Sequence, residues 1–263
     1  MFLFRRRNSL LRGPLRGLRS WKVRFVLLLG LGFVLVFADF QSKGALPPLK
    51  DGDLVFQTSK SSQSAAIFVA TANPFTHMGI VRDDHGRMLV IEAGATVREV
   101  PLESWVKRGV MGRVAVYRDP TLTREQAERV LEKARALFGR PYDIFFAFDN
   151  EAIYCSELPY LAYGAAGIAI GRREKVRELH FDNALVRKLI ETRWRSHPRC
   201  KADGYDFERC FQTILDQEVV SPASIAQDPQ FRMIYSNYPL QRGEEAATAA
   251  EGGTGTGTGT GDK

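Results

Sequence analysis

The sequence predicts an α+β domain in which an antiparallel sheet is packed with helices. Three observations carry this. Short runs of β-branched and apolar residues, interrupted by turn residues, succeed one another between Leu54 and Arg118. Two of these runs flank Asp83-Asp84-His85-Gly86, which has hairpin turn chemistry. Beyond Thr123 the apolar residues change to helical spacing.

Taken in order, Asp51-Gly52-Asp53 turns the chain into a strand at Leu54-Val55-Phe56-Gln57. Ser61 to Thr71 has helical content in Ala65, Ala66, Phe68 and Val69, and Asn73-Pro74 stops it. Strands are expected over Thr76 to Arg82, Arg87 to Ala93 and Val97 to Val100, then a short helix from Pro101 to Lys107 and a strand from Arg113 to Arg118. Asp119-Pro120 breaks that strand. Thr123 and Gln126 form a capping-box start, and the helix they open runs to Phe138 with Ala127, Val130, Leu131, Ala134 and Leu137 on one face. Gly139 ends it. Another helix is expected from about Cys155 to Gly164 or beyond, and further ones over Asn183 to Trp194 and Asp206 to Gln217.

The two ends are different in kind. Residues 1–38 hold eight basic and no acidic residues and finish in the apolar run Phe25 to Ala38, the pattern of a secretory signal peptide or, read the other way, an uncleaved membrane anchor. Subtracting those eight charges from the net +7 leaves −1, so the remainder is nearly neutral and nucleic-acid binding is not expected. Residues 39–50, closed by Pro47-Pro48, read as a linker, 51–240 as one domain, and 243–263 as a Gly/Thr-rich tail with too little apolar surface to order. Export would put Cys200 and Cys210, which flank the turn-prone Lys201-Ala202-Asp203-Gly204, in an oxidising compartment. They are expected to pair, leaving Cys155 free; the alternative is three reduced, merely packed thiols.

Cys155, His77 and Glu92 make the candidate site. Proline is tolerated only in the first turn of a helix, so Pro159 sets the helix start close to Cys155, where unpaired N–H groups favour a thiolate and can donate to an oxyanion. A four-residue loop at Asp83 to Gly86, or a two-residue loop at Asp84-His85, pairs His77 directly with Glu92. The carboxylate would then hold Nδ1–H and leave Nε2 free. The bland readings are a buried small hydrophobe, a structural histidine and an edge charge. His85 belongs to the turn, and His180 and His197 have no carboxylate at a telling spacing. Without a close-spaced ligand pair, no metal is expected, nor a cofactor.

These residues resemble the YiiX/YebB-like members of the permuted NlpC-type papain-like hydrolases. The matching pieces, in order, are Asp51 to Gln57, Thr76 to Val81, Val90 to Ala93, Gly139-Arg140-Pro141-Tyr142-Asp143 and Tyr154 to Leu158. The resemblance implies a circularly permuted papain-like fold, with His ahead of Cys in the chain, Cys155 as nucleophile, His77 as base and Glu92 as orienter. It also implies that Tyr142 helps line the oxyanion site, the alternative being core packing, and that Asp53 is structural. An exported fold of this kind suggests hydrolysis of cell-wall peptide amides. The aromatic run Phe145, Phe146, Phe148, Tyr154, Tyr160 and Tyr163 keeps open a hydrolase or acyltransferase acting on lipid amides or esters, if it is not core. A non-catalytic envelope binding module is the reading from a different class. The expected partner is a peptide or acyl substrate of the cell envelope, with N-terminal membrane association open and the location periplasmic or inner-membrane anchored.

Overall fold

Alternation along the first strand sets the layers. In β1 (Leu54–Gln57), Leu54 and Phe56 face one side of the sheet and Val55 the other, and all four residues are buried. The computed structural model describes residues 45–148 and 151–239. The expected signal or anchor at 1–38 and the tail at 243–263 lie outside the described residues.

β1 lies inside a six-stranded antiparallel sheet with β2 (His77–Asp84), β3 (Arg87–Ala93), β4 (Val97–Pro101), β5 (Ala115–Arg118) and β8 (Arg232–Ser236), in the order β4-β3-β2-β1-β5-β8. A two-stranded ribbon joins β6 (Arg173–Lys175) to β7 (Glu218–Val220). On the face of Leu54 and Phe56, Met78, Ile80 and Ile91 pack against α3 (Arg124–Ala136) and α4 (Glu157–Ala165), which supply Val130, Ala134, Leu158 and Ala162. The opposite face, with Val55, Val81, Val90 and Val116, is covered by Leu102 and Trp105 of α2 (Leu102–Arg108). A third cluster joins α1 (Ser64–Thr71) to α5 (Ala184–Arg193) and α7 (Phe207–Leu215) through Ala66, Val186, Ile190, Phe211 and Leu215. The short α6 (Pro198–Ala202) and α8 (Pro222–Ala226) complete the α-helices of the described residues.

The capping box at Thr123 forms as expected. Asp53 is structural: its carboxylate accepts from the Lys50 N–H at 2.8 Å and from Arg118 at 2.6 and 2.7 Å, bracing the start of β1. Cys200 and Cys210 are bonded to each other, with Cα atoms 5.4 Å apart, and Cys155 is the free thiol.

The β2–β3 hairpin corrects the expected register. The strands pair to Asp84↔Arg87, leaving His85 and Gly86 as the two-residue loop. Both have positive φ, 55° and 90°, as a type I′ turn requires, and Gly86 meets that demand without strain. Ile80 therefore faces Ile91 and, continuing the register, Gly79 faces Glu92. His77 and Glu92 are diagonal neighbours rather than a directly opposed pair. They still share a face, because a register error of two residues preserves the alternation of side chains.

Candidate active site

Cys155 lies two residues ahead of α4 and is 2% exposed. The Leu158 N–H bonds the Tyr154 carbonyl at 3.2 Å, so the first helical turn closes around the cysteine, and Pro159 sits third in α4, within the first turn where proline is tolerated. The thiol lies 4.0 Å from the Thr76 carbonyl oxygen, one residue from His77. An isolated parallel bridge between Tyr142 and Ile153 lays the Gly139–Asp143 segment alongside the approach to Cys155 and delivers the Tyr142 side chain to the thiol.

His77 Nε2 is 2.8 Å from Glu92 Oε2. This reverses the expected ring orientation: the carboxylate holds Nε2, and Nδ1 is the nitrogen left for Cys155. The diagonal approach accounts for the change, since Glu92 reaches His77 across Gly79. A Cβ at Gly79 would collide with Val90 and the Ile91 carbonyl, so that position has no room for a side chain. Glu92 is fully buried, and its Oε1 accepts from Arg108 Nη2 at 2.6 Å and lies 3.5 Å from Arg98 Nε. The His77 ring stacks on buried Trp105, with centroids 5.9 Å apart and planes 25° from parallel.

The electrostatics follow from these contacts. Burial alone would lower the pKa of His77, but hydrogen bonds to Cys155 and Glu92 and attraction to both raise it to about 9. Burial would raise that of Glu92, and His77 with Arg108 brings it down to about 2. For Cys155 burial opposes ionisation, yet the hydrogen bond and charge of His77, joined by a hydrogen bond from Tyr142, lower its pKa. Burial and then the negative thiolate push Tyr142 well above the ordinary phenol range. These contacts favour a Cys155 thiolate beside a His77 imidazolium and keep the Tyr142 phenol neutral.

Trp105 and Arg108 were not anticipated in the sequence as parts of the site. They lie three residues apart, one turn of α2, and so share the helix face turned to the sheet. Gln63 and Arg193 were also missed; Gln63 Nε2 donates to Tyr142 Oη at 3.0 Å and Arg193 Nη1 donates to Gln63 Oε1 at 2.7 Å. His85 and His180 are exposed, whereas His197 is buried, with Nε2 3.3 Å from Gln217 Oε1.

The aromatic run divides between two duties. Tyr163 is core and donates its hydroxyl to the Gly52 carbonyl at 2.5 Å, and Phe148 and Tyr160 pack against each other. Phe145, Phe146 and Tyr154, the last also part of the core, line a cavity that Cys155 and Ser156 line as well. Ile67, Val186, Leu189, Ile190 and Val219 complete a largely apolar wall. The Phe145–Phe146 stretch is clamped from both sides: the Asp143 carboxylate accepts from the N–H groups of Phe145 and Ala147 at 2.7 Å each, and Gln217 Nε2 donates to the Phe145 and Phe146 carbonyls at 2.8 and 2.7 Å. A second, polar groove touches His77 and Tyr142 and carries Lys60, Lys107 and Arg108.

A buried cysteine at a helix start, packed on an antiparallel sheet that carries histidine and glutamate, defines a papain-like cysteine amidase, here with histidine ahead of cysteine. Residues 48–235 match the family model described as "Permuted papain-like amidase enzyme, YaeF/YiiX, C92 family". The chain belongs to that family. It is 29% identical over 191 residues to the uncharacterized protein YiiX of Escherichia coli (strain K12), covering 72% of this chain and 87% of that protein. The crystal structure of yiiX from Escherichia coli O157:H7, described as a metalloprotein, superposes with a TM-score of 0.64 at 30% identity, covering 72% of this chain and 98% of the other.

Proposed function

We propose that this amidase is an exported cysteine hydrolase that cleaves an amide or ester bond whose acyl part is a long apolar chain, through Cys155, His77 and Glu92. The observation that carries the choice of substrate is the apolar cavity that Cys155 helps to line. An apolar wall favours an acyl chain over a polar cell-wall peptide. The leaving group would lie in the polar groove beside His77.

In this reading the Cys155 thiolate attacks the carbonyl carbon, and the oxyanion accepts hydrogen bonds from the Cys155 N–H and Tyr142. The His77 imidazolium, held by Glu92, gives its proton to the departing nitrogen or oxygen and leaves a thioacyl-enzyme. His77, now neutral, takes a proton from water as it attacks the thioester; the intermediate then expels the Cys155 thiolate, releasing the carboxylic acid and restoring the starting pair. The basic, then apolar segment at 1–38 supports export, with the catalytic domain at the envelope.

The solved relative's description as a metalloprotein raises the question of a metal here. Among the described residues, His197, Cys200 and Cys210 are the side chains close enough to share an ion, but the two sulfurs are bonded to each other. That donor set does not fit a thiolate-bound metal.

The test is labelling by iodoacetamide and turnover of p-nitrophenyl dodecanoate, p-nitrophenyl butanoate and muropeptides by wild type, Cys155→Ala and His77→Ala. Preference for the long ester, lost with either substitution, is expected. Turnover by Cys155→Ala ends the reading, and cleavage of muropeptides alone returns the substrate to the cell wall.

A further inference from the structure

The Tyr142 hydroxyl has one proton and two lone pairs, and the direction of that proton decides how it serves Cys155. Arg193, the last residue of α5, donates from Nη1 to Gln63 Oε1 at 2.7 Å and to the Ile144 carbonyl at 3.0 Å. A guanidinium has only donors, so the Gln63 atom that meets it must be the carbonyl oxygen. This settles which end of the amide is which, an ambiguity open to most glutamines. Gln63, itself 7% exposed, consequently turns its NH₂ group to Tyr142 Oη at 3.0 Å. Tyr142 must accept there. Its proton is left for another direction, and the neighbour to receive it is the Cys155 sulfur, whose charge bears on the hydroxyl. Ser156, next to the thiol, also bears on it, but less than Tyr142, since its hydroxyl proton is directed to the Val220 carbonyl at 2.8 Å.

We propose, on the reading that Cys155 is the nucleophile, that Gln63 and Arg193 are positioning residues that make Tyr142 an obligate donor to the Cys155 thiolate and then to the oxyanion. Neither touches the reacting atoms. Arg193 acts by orienting an amide, Gln63 by occupying a lone pair, and Tyr142 delivers the result. The helical layer of α1 and α5 thereby becomes part of the catalytic apparatus, although Gln63 and Arg193 stand 130 residues apart.

Gln63→Glu is the discriminating variant. The carboxylate keeps an acceptor for Arg193 and turns a second acceptor toward Tyr142, drawing the phenolic proton away from sulfur. The readouts on the full-length protein are the pH dependence of Cys155 alkylation by iodoacetamide and the kcat and KM for p-nitrophenyl dodecanoate. The alkylation midpoint is expected to rise by roughly one pH unit, and kcat to fall by roughly 100-fold with KM within about two-fold. In a Tyr142→Phe background the same substitution changes each readout by less than about two-fold, which separates the lost donor from the added charge. Arg193→Lys keeps a donor-only partner and stays within about three-fold of wild type. Arg193→Met, which frees the amide to turn over, follows Gln63→Glu and carries the same comparison if Gln63→Glu does not fold. Equal effects in both backgrounds, or none in either, overturn the relay while Cys155 remains the nucleophile. Turnover by Cys155→Ala instead removes the reading beneath it.

Discussion

Replacing Glu92 with Gln keeps the shape of a fully buried side chain and removes its charge. Glu92 accepts on both oxygens, from His77 Nε2 at 2.8 Å and Arg108 Nη2 at 2.6 Å. An amide offers an acceptor to one of these donors and an N–H group to the other. His77 stands at about 9 against an ordinary 6.5, a preference for the imidazolium of roughly 3.4 kcal/mol at about 1.36 kcal/mol per pH unit. Burial works against that preference, and Cys155 and Glu92 supply it. Ascribing about half to Glu92 gives a loss of about 1.5–2 kcal/mol, somewhat more than ten-fold in the protonation equilibrium. The sign is fixed by charge. Anions raise the pKa of His77, so without Glu92 the proton leaves at lower pH and the leaving group loses its acid sooner. In a pH profile of kcat/KM for p-nitrophenyl dodecanoate, the alkaline limb is expected to move down by roughly one to one and a half pH units, the apparent value belonging to the Cys155–His77 pair. An alkaline limb that stays in place, or moves up, would refute the assignment of Glu92 as the group that sustains the imidazolium.

Three further outcomes are expected. Trp105 is fully buried under the His77 ring, so Trp105→Ala should cost about 3–5 kcal/mol in urea unfolding; Trp105→Phe, with a weaker hold on a cation, should fold and lower the alkaline limb slightly. The Cys200–Cys210 bridge spans a sequence separation of 10, and replacing both residues by Ser should lower stability by about 2–3 kcal/mol, read as a lower thermal midpoint, while Cys155 remains alkylatable. Ala70 lines the apolar cavity, so Ala70→Phe should cut turnover of the dodecanoyl ester at least about ten-fold and leave the butanoyl ester within about two-fold; parallel losses on both would argue against a chain-binding cavity.

The parts of this molecule that were legible in the sequence are those decided by local chemistry or alternation. Thr123 with Gln126, Pro159 at the start of α4, and the shared face of His77 and Glu92 are of this kind. The face survived a register error because both the expected loops and the observed one hold an even number of residues. The register itself turned on His85 accepting a left-handed conformation, which leaves Gly86 at the second loop position; a histidine carries only a weak signal for that. From the same error came the wrong ring nitrogen, since a diagonal carboxylate approaches His77 differently from an opposed one. The ribbon of β6 and β7 escaped notice because three-residue strands show no usable period. The contributions of Arg108, Gln63 and Arg193 depend on tertiary packing, which brings α2, α1 and α5 around the site and leaves no local pattern.

The wall of the apolar cavity is under tension. Phe146 has a φ of 56°, a left-handed backbone with no glycine to relieve it, at roughly 1–3 kcal/mol. Asp143 grips the amides on either side and Gln217 the carbonyls, so four hydrogen bonds overrule the preference of the residue they surround. The cavity rim is thus a spring held shut by two latches, one of them 71 residues further along the chain from Phe146. Unlatching Gln217 would let the backbone relax into an ordinary conformation and change the width of the passage to Cys155. On the proposed reading, a chain that keeps Cys155, His77 and Glu92 intact can thereby still lose its fit to an acyl substrate through the single amide of Gln217.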